Sequence, residues 1–120
     1  MRIVESVQPT GVYGGNFTGD VNLSMLAPAS DATMPDIALV AFEDGAVTCW
    51  HAHPGGQFIW VVSGRAVVGT EADGAREIGP GTLVEAPADE AHWHGAAHGA
   101  DATLLCLTWG ATAWTERAPR

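Results

Sequence analysis

Lysine is absent from this chain. Its only permanent cations are Arg2, Arg65, Arg76, Arg117 and Arg120, set against fourteen acidic residues, for a net charge of −9. Binding to a phosphate backbone needs a cationic patch that releases counterions, and five dispersed arginines do not make one. No nucleic-acid partner is expected. The acids are also spread out, which reads as solubility and not as an interaction tail.

Cysteine is scarce too. Cys49 and Cys106 each lie in an apolar, strand-like stretch, where a reduced buried thiol is the ordinary state, and neither is assigned chemistry. No apolar run is long enough to cross a bilayer, and the first eight residues carry Arg2 and Glu5 where a signal peptide would have an apolar core. A cytoplasmic protein without a membrane partner is the expectation. Charged residues make up only 16% of the sequence and apolar ones 47%. That is enough core material for one domain over residues 1–120.

What the chain does have is a succession of short β-forming runs, at residues 37–42, 46–50, 58–62, 65–69, 82–85 and 103–109, broken by Gly, Pro and Asp turns. No helix longer than a turn is read. This spacing predicts an all-β sandwich or small barrel, and a barrel of about eight strands encloses room for one small ligand.

All five histidines fall between positions 51 and 98, and four form the pairs His51-Ala52-His53 and His92-Trp93-His94. Template counting gives about 0.2 such pairs by chance in a chain of this composition. On an extended strand, residues two apart face the same side, so two such strands can aim several imidazoles at one point. A point ringed by imidazoles is a metal site. Pro54-Gly55-Gly56 permits a reversal that returns the Gln57 amide oxygen towards the same centre. His51, His53, Gln57 and His92 are therefore candidate ligands for one divalent transition ion per chain. Imidazole and amide ligands accept Mn, Fe, Co, Ni, Cu or Zn, so the ion's identity is left open. With no carboxylate in the set, the ion's charge is uncompensated and polarises a bound water or anion more strongly.

His94 shares parity with His92 and should face the same cavity. It is the candidate general acid or base, on the ground that an imidazole titrates near neutrality. Residues of inward parity, Val47, Cys49, Ile59 and Val61, with Ala38 and Val40 from the preceding strand, are expected to line an apolar pocket. His98 sits among small residues in a loop and reads as surface. Trp50, Trp60 and Trp93 have the opposite parity, which places them between sheets or against a partner subunit.

The run Gly45, His51, His53, Gln57, Gly64 resembles the first cupin motif, with Gln57 where glutamate is usual, and Gly81, Pro87, His92 resembles the second. Asp89 stands where the second motif commonly has glycine. The resemblance implies the cupin (jelly-roll, double-stranded β-helix) barrel, with a metal-binding core over residues 37–110, and assigns the same four ligands. Asn16-Phe17-Thr18-Gly19-Asp20-Val21, His51 through Gln57 and His92 through Ala96 look like the small single-domain cupins that include carboxymuconolactone-decarboxylase-like proteins and bacterial cupin hydroxynitrile lyases. Those relatives often carry a larger apolar residue at Gly55, whose absence should loosen the pocket rim. The lyase members carry polar side chains where this chain has Leu104 and Thr108, two further candidate pocket residues.

The function expected is metal-assisted chemistry on a small organic molecule: a non-redox lyase, isomerase or decarboxylase with the ion as Lewis acid, or alternatively a dioxygenase or a non-catalytic binding cupin. An N-terminal strand segment over about residues 11–30 is expected to pair with a neighbouring barrel in a homodimer.

Overall fold

The computed structural model, described for residues 1–5 and 16–120, is built of strands alone. They are β1 (Phe17–Thr18), β2 (Val21–Ala27), β3 (Asp36–Phe42), β4 (Val47–Thr48), β5 (His51–Ala52), β6 (Gln57–Gly64), β7 (Ala66–Thr70), β8 (Gly74–Ile78), β9 (Leu83–Ala86), β10 (His92–Ala96), β11 (Ala102–Thr108) and β12 (Ala113–Trp114). One sheet runs β2-β3-β11-β6-β9. The other runs β1-β4-β10-β5-β12, with β7 joining β10 to β8. The ladders are antiparallel, some between consecutive strands, as β2 with β3 and β7 with β8, and others between strands far apart in the chain, as β11 with β3 and β6.

The five-stranded sheet follows the period-two rule closely. Ala38, Val40 and Phe42 on β3, Ile59 and Val61 on β6, and Leu104 and Cys106 on β11 point inwards and are buried, with Val21 and Leu23 from β2. Burying each large side chain contributes about 1.5–3 kcal/mol, so this layer sets the stability of the barrel. β8 was not anticipated, because its residues are exposed almost throughout and carry no apolar signal.

The run read as a strand over 46–50 ends instead at Thr48. Between the pairs His51↔His92 and Val47↔Gly95, one chain advances four residues while β10 advances three. This extra residue is a bulge, and a one-residue slip reverses the facing of everything before it. Thr48 consequently turns inwards with His51, while Val47 packs on the other side of the sheet with Trp50, Val67 and Trp93. Trp50 and Trp93 are thus not between the sheets. They form a small outer cluster covered by the C-terminal residues, with the guanidinium of Arg117 4.6 Å from the Trp50 ring centre and that of Arg120 5.7 Å from Trp93. Trp60 is 42% exposed on the opposite sheet.

The expected N-terminal segment lies partly outside the described residues. From Phe17 onwards it pairs within its own chain, β1 with β4 and β2 with β3.

Candidate metal centre

The two His-x-His pairs reach one point because β5 and β10 are neighbours. His51 and His92 are direct cross-strand partners, so their side chains leave the same face. His53 lies just beyond β5 in the turn, and Gln57 opens β6. Ring centres are 4.5 Å apart for His51 and His92, 4.9 Å for His51 and His53, and 5.2 Å for His53 and His92. One nitrogen from each of the three imidazoles lies within 4.8 Å of the others. His51, His53, His92 and Gln57 are all buried.

The turn between them is held by the backbone. The His53 carbonyl accepts from the amides of Gly56 at 3.1 Å and Asp89 at 2.8 Å, which ties the first motif to the second. Asp89 has φ of 63°, a left-handed conformation that glycine adopts freely and aspartate tolerates. Gly55 packs against residue 109 so closely that a Cβ there would lie 2.5 Å from the Trp109 Cβ. The expected loosening of the rim at Gly55 is therefore corrected: the missing side chain lets the Trp109 backbone close in, with Gly55 N–H donating to its carbonyl at 3.0 Å.

Hydrogen bonding fixes which ring atoms face inwards. His51 Nδ1 lies 2.8 Å from the Cys49 carbonyl and His92 Nδ1 lies 2.9 Å from the Glu90 carbonyl. A carbonyl only accepts, so each Nδ1 carries the hydrogen and each Nε2 keeps its lone pair. His53 Nδ1 lies 3.0 Å from Thr112 Oγ1, and its Nε2 is buried with no hydrogen-bond partner. Gln57 Nε2 donates to Thr108 Oγ1 at 2.8 Å, which turns Oε1 to within 3.1 Å of His92 Nε2. Both of these facing atoms are acceptors. Two ligands of one ion with bonds of about 2.1 Å would stand at such a separation. Three imidazoles and an amide oxygen fit a divalent transition ion, and the outward hydrogen bonds are those that orient metal-binding histidines.

Burial, with its neighbouring imidazoles, pushes His51 down to about 3 and His53 to about 4; burial also lowers His92. The cluster is therefore neutral at neutral pH, the state that binds metal.

A cavity of about 240 Å³ opens beside these residues. Ala38, Val40 and Thr108 line it, as do His51, His53, Gln57 and His94. The other pocket expectations are corrected. Ile59, Val61 and Leu104 share the inward parity but are fully buried in the hydrophobic core and do not reach the cavity. Val47 and Cys49 are not in the lining because of the bulge. Cys106 is in it, with its thiol pushed up to about 12 by burial and so protonated.

His94 lines the cavity, and its backbone N–H donates to Thr48 Oγ1 at 3.1 Å. Its Nδ1 is buried without a partner. The expectation that it titrates near neutrality is revised: burial first, then His51, His92 and His53, hold it well below the ordinary imidazole value. It is a neutral ring with an unsatisfied nitrogen, suited to accept a proton and not to arrive already protonated. His98 is exposed in a turn.

Residues 38–108 match the Cupin domain family. The chain belongs to this family. Within it, the chain is 41% identical over 91 residues to an (R)-mandelonitrile lyase from Granulicella tundricola, covering 76% of this chain and 70% of that protein. A cupin-like protein from Thermotoga maritima superposes with a TM-score of 0.83 at 29% identity, covering 95% of this chain and 89% of the other. A polyketide cyclase from Streptomyces resistomycificus has the same fold, with a TM-score of 0.78 at 19% identity over 93% of this chain and 81% of its own.

Sequence reading missed the residues that flank the matched region. Phe17, Leu23, Met25 and Asp36 enter the cavity from before it, and Thr112 and Trp114 from after it. The signal was faint: Trp114 lies in a strand only two residues long, and Thr112 just before it.

Two outcomes are expected of this arrangement. Thr112→Val should weaken binding of a divalent ion about 10- to 100-fold in a competition titration, with Thr112→Ser close to wild type, because the hydroxyl orients His53. The second concerns pH. His51 and His53 have folded values depressed below 6.5, so their contribution to stability is fully present above that pH and is lost as pH falls from 6.5 through 4 towards 3. The urea midpoint of the metal-free protein should drop between pH 7 and pH 5, and drop less in a His51→Gln/His53→Gln variant.

Proposed function

We propose that the protein is a metal-dependent, non-redox lyase-type enzyme that takes a small hydroxyl- or carbonyl-bearing molecule into the barrel. The observation that carries this reading is the neutral donor set of His51, His53, Gln57 and His92 beside a small cavity that His94 also lines. The similarity to a mandelonitrile lyase makes a cyanohydrin the first substrate to try.

A divalent ion held by the four side chains would supply Lewis acidity, lowering the pKa of a bound hydroxyl. The chain's residues supply the rest. Leu23, Met25 and Val40 exclude water and pack the organic part of the substrate. His94, kept neutral by burial, accepts the hydroxyl proton. The electron pair released closes the carbonyl as the carbon–cyanide bond breaks, and the departing cyanide takes the proton back from His94 as hydrogen cyanide. The low basicity of His94 suits this return.

His94→Ala should keep one ion per chain by elemental analysis yet lose about 10²- to 10⁴-fold in turnover of (R)-mandelonitrile, assayed with Mn, Fe or Zn, with and without oxygen. Equal turnover by the variant would remove His94 from the mechanism. Turnover that requires oxygen would replace the lyase reading with an oxidative one.

For the assembly, the reading is a homodimer, supported by the outer face of the five-stranded sheet. The outward residues Ile37 and Leu39 on β3, Leu105 and Leu107 on β11, and Phe58, Trp60 and Val62 on β6 are all apolar, and Phe58, Trp60, Val62 and Leu83 are exposed. A patch of this kind marks an interaction site. Two copies each carrying −9 repel one another least through a surface of low charge, and this face carries little, Glu85 standing opposite Phe58 at its β9 edge. Light scattering should give a dimer at micromolar concentration and a monomer for Trp60→Glu/Leu83→Glu; a monomeric wild type would refute the pairing.

A further inference from the structure

The matched region, residues 38–108, furnishes the cavity with imidazoles, an amide and small or aliphatic side chains: Ala38, Val40, Thr48, Cys106 and Thr108. The two large carbocyclic or indole rings in the lining, Phe17 and Trp114, come from outside it, one from each end of the chain. Their ring centres are 5.6 Å apart at 58° to one another. The Trp114 ring centre also lies 4.5 Å from that of His51, at 40°. A molecule bound beside His51 therefore meets the indole of Trp114.

Trp114 is held there by the backbone of a C-terminal strap. β12 pairs with β5, setting Trp114 opposite His51. Beyond it, the Trp50 carbonyl accepts from Thr115 N–H at 3.0 Å and Thr115 Oγ1 at 2.8 Å, Trp50 N–H donates to the Arg117 carbonyl at 2.9 Å, and Arg117 pairs with Glu71 at 2.6 Å. None of these anchors uses the indole. The strap can stay docked when the side chain changes.

We propose that Trp114 is a specificity-determining residue of the cavity and that, backed by Phe17, it selects ligands that present a planar aromatic ring. Flat rings meet an aromatic face in offset or tilted contact that a puckered saturated ring cannot reproduce, and this contact adds to area burial alone. The inference rests on the cavity being the ligand site, as proposed above.

The test uses zinc-loaded protein and two acids that share a carboxylate and differ in the ring, benzoate and cyclohexanecarboxylate. Their common charge cancels any effect of Asp36, which also lines the cavity. Titration calorimetry should show benzoate bound about three- to tenfold more tightly by wild type. In Trp114→Leu the ratio should fall to near one with zinc content unchanged, Trp114→Phe should keep a preference, and Phe17→Leu should reduce it. A wild-type ratio near one overturns the proposal while leaving the cavity as the ligand site. So does a ratio that Trp114→Leu leaves unaltered, or loss of zinc from that variant, which would make the indole a wall of the metal centre only. Neither acid binding to wild type overturns the cavity reading and this proposal together.

Discussion

A lone pair buried with no hydrogen opposite it costs free energy, and the interior of this barrel collects several at one point. Two protein carbonyls, of Cys49 and Glu90, take the Nδ1 hydrogens of His51 and His92, and the Thr108 hydroxyl takes an amide hydrogen of Gln57. Each of these bonds points away from the centre. What they leave facing inwards are acceptors, including two that confront each other at 3.1 Å. Protonation is the usual escape from such crowding, but burial beside other imidazoles makes it unfavourable, as the low values of His51 and His53 show. A cation of another kind would resolve the conflict. The polar part of the structure thus presents a set of donors that one metal ion could share.

The apolar layer meets a different requirement. Cross-strand pairing puts His51 against His92, and that register survives only if the strands around it cannot slide. The rigid partner is the five-stranded sheet, whose inward Ile59, Val61 and Leu104 are wholly buried. These residues were expected in the pocket. Instead they are core, and the cavity begins where their strands reach Gln57 and Thr108, which are themselves cross-strand partners on β6 and β11. The same two strands therefore carry packing at one end and donor atoms at the other.

The sheet architecture and the ligand spacing were legible in the sequence because both rest on a period of two that needs no long-range information. His51, His53, Gln57 and His92 could be grouped from local geometry and the motif resemblance. The period fails wherever a residue is inserted, and the bulge before His51 is invisible in a run reading Ala46-Val47-Thr48-Cys49-Trp50, where every choice of register leaves an apolar residue on each face. Val47 and Cys49 were misplaced for that reason. The electrostatics of His94 were also out of reach, because a depressed value depends on three other imidazoles arriving from elsewhere in the chain.

The flanking segments were the least readable, and the reason has functional weight. Phe17 and Trp114 sit in strands of two residues and Thr112 just before one, too short for any pattern to register, yet all three line the cavity. A core that must hold four donors in fixed positions can vary little without losing them. The short segments before and after it carry no such demand, since their anchoring is by backbone hydrogen bonds and by Arg117 and Arg120 on the outer face. Changes in what the barrel accepts are least costly where the side chain facing the cavity is not also holding the sheet together. Trp114 meets that condition, and Ile59 and Leu104 do not.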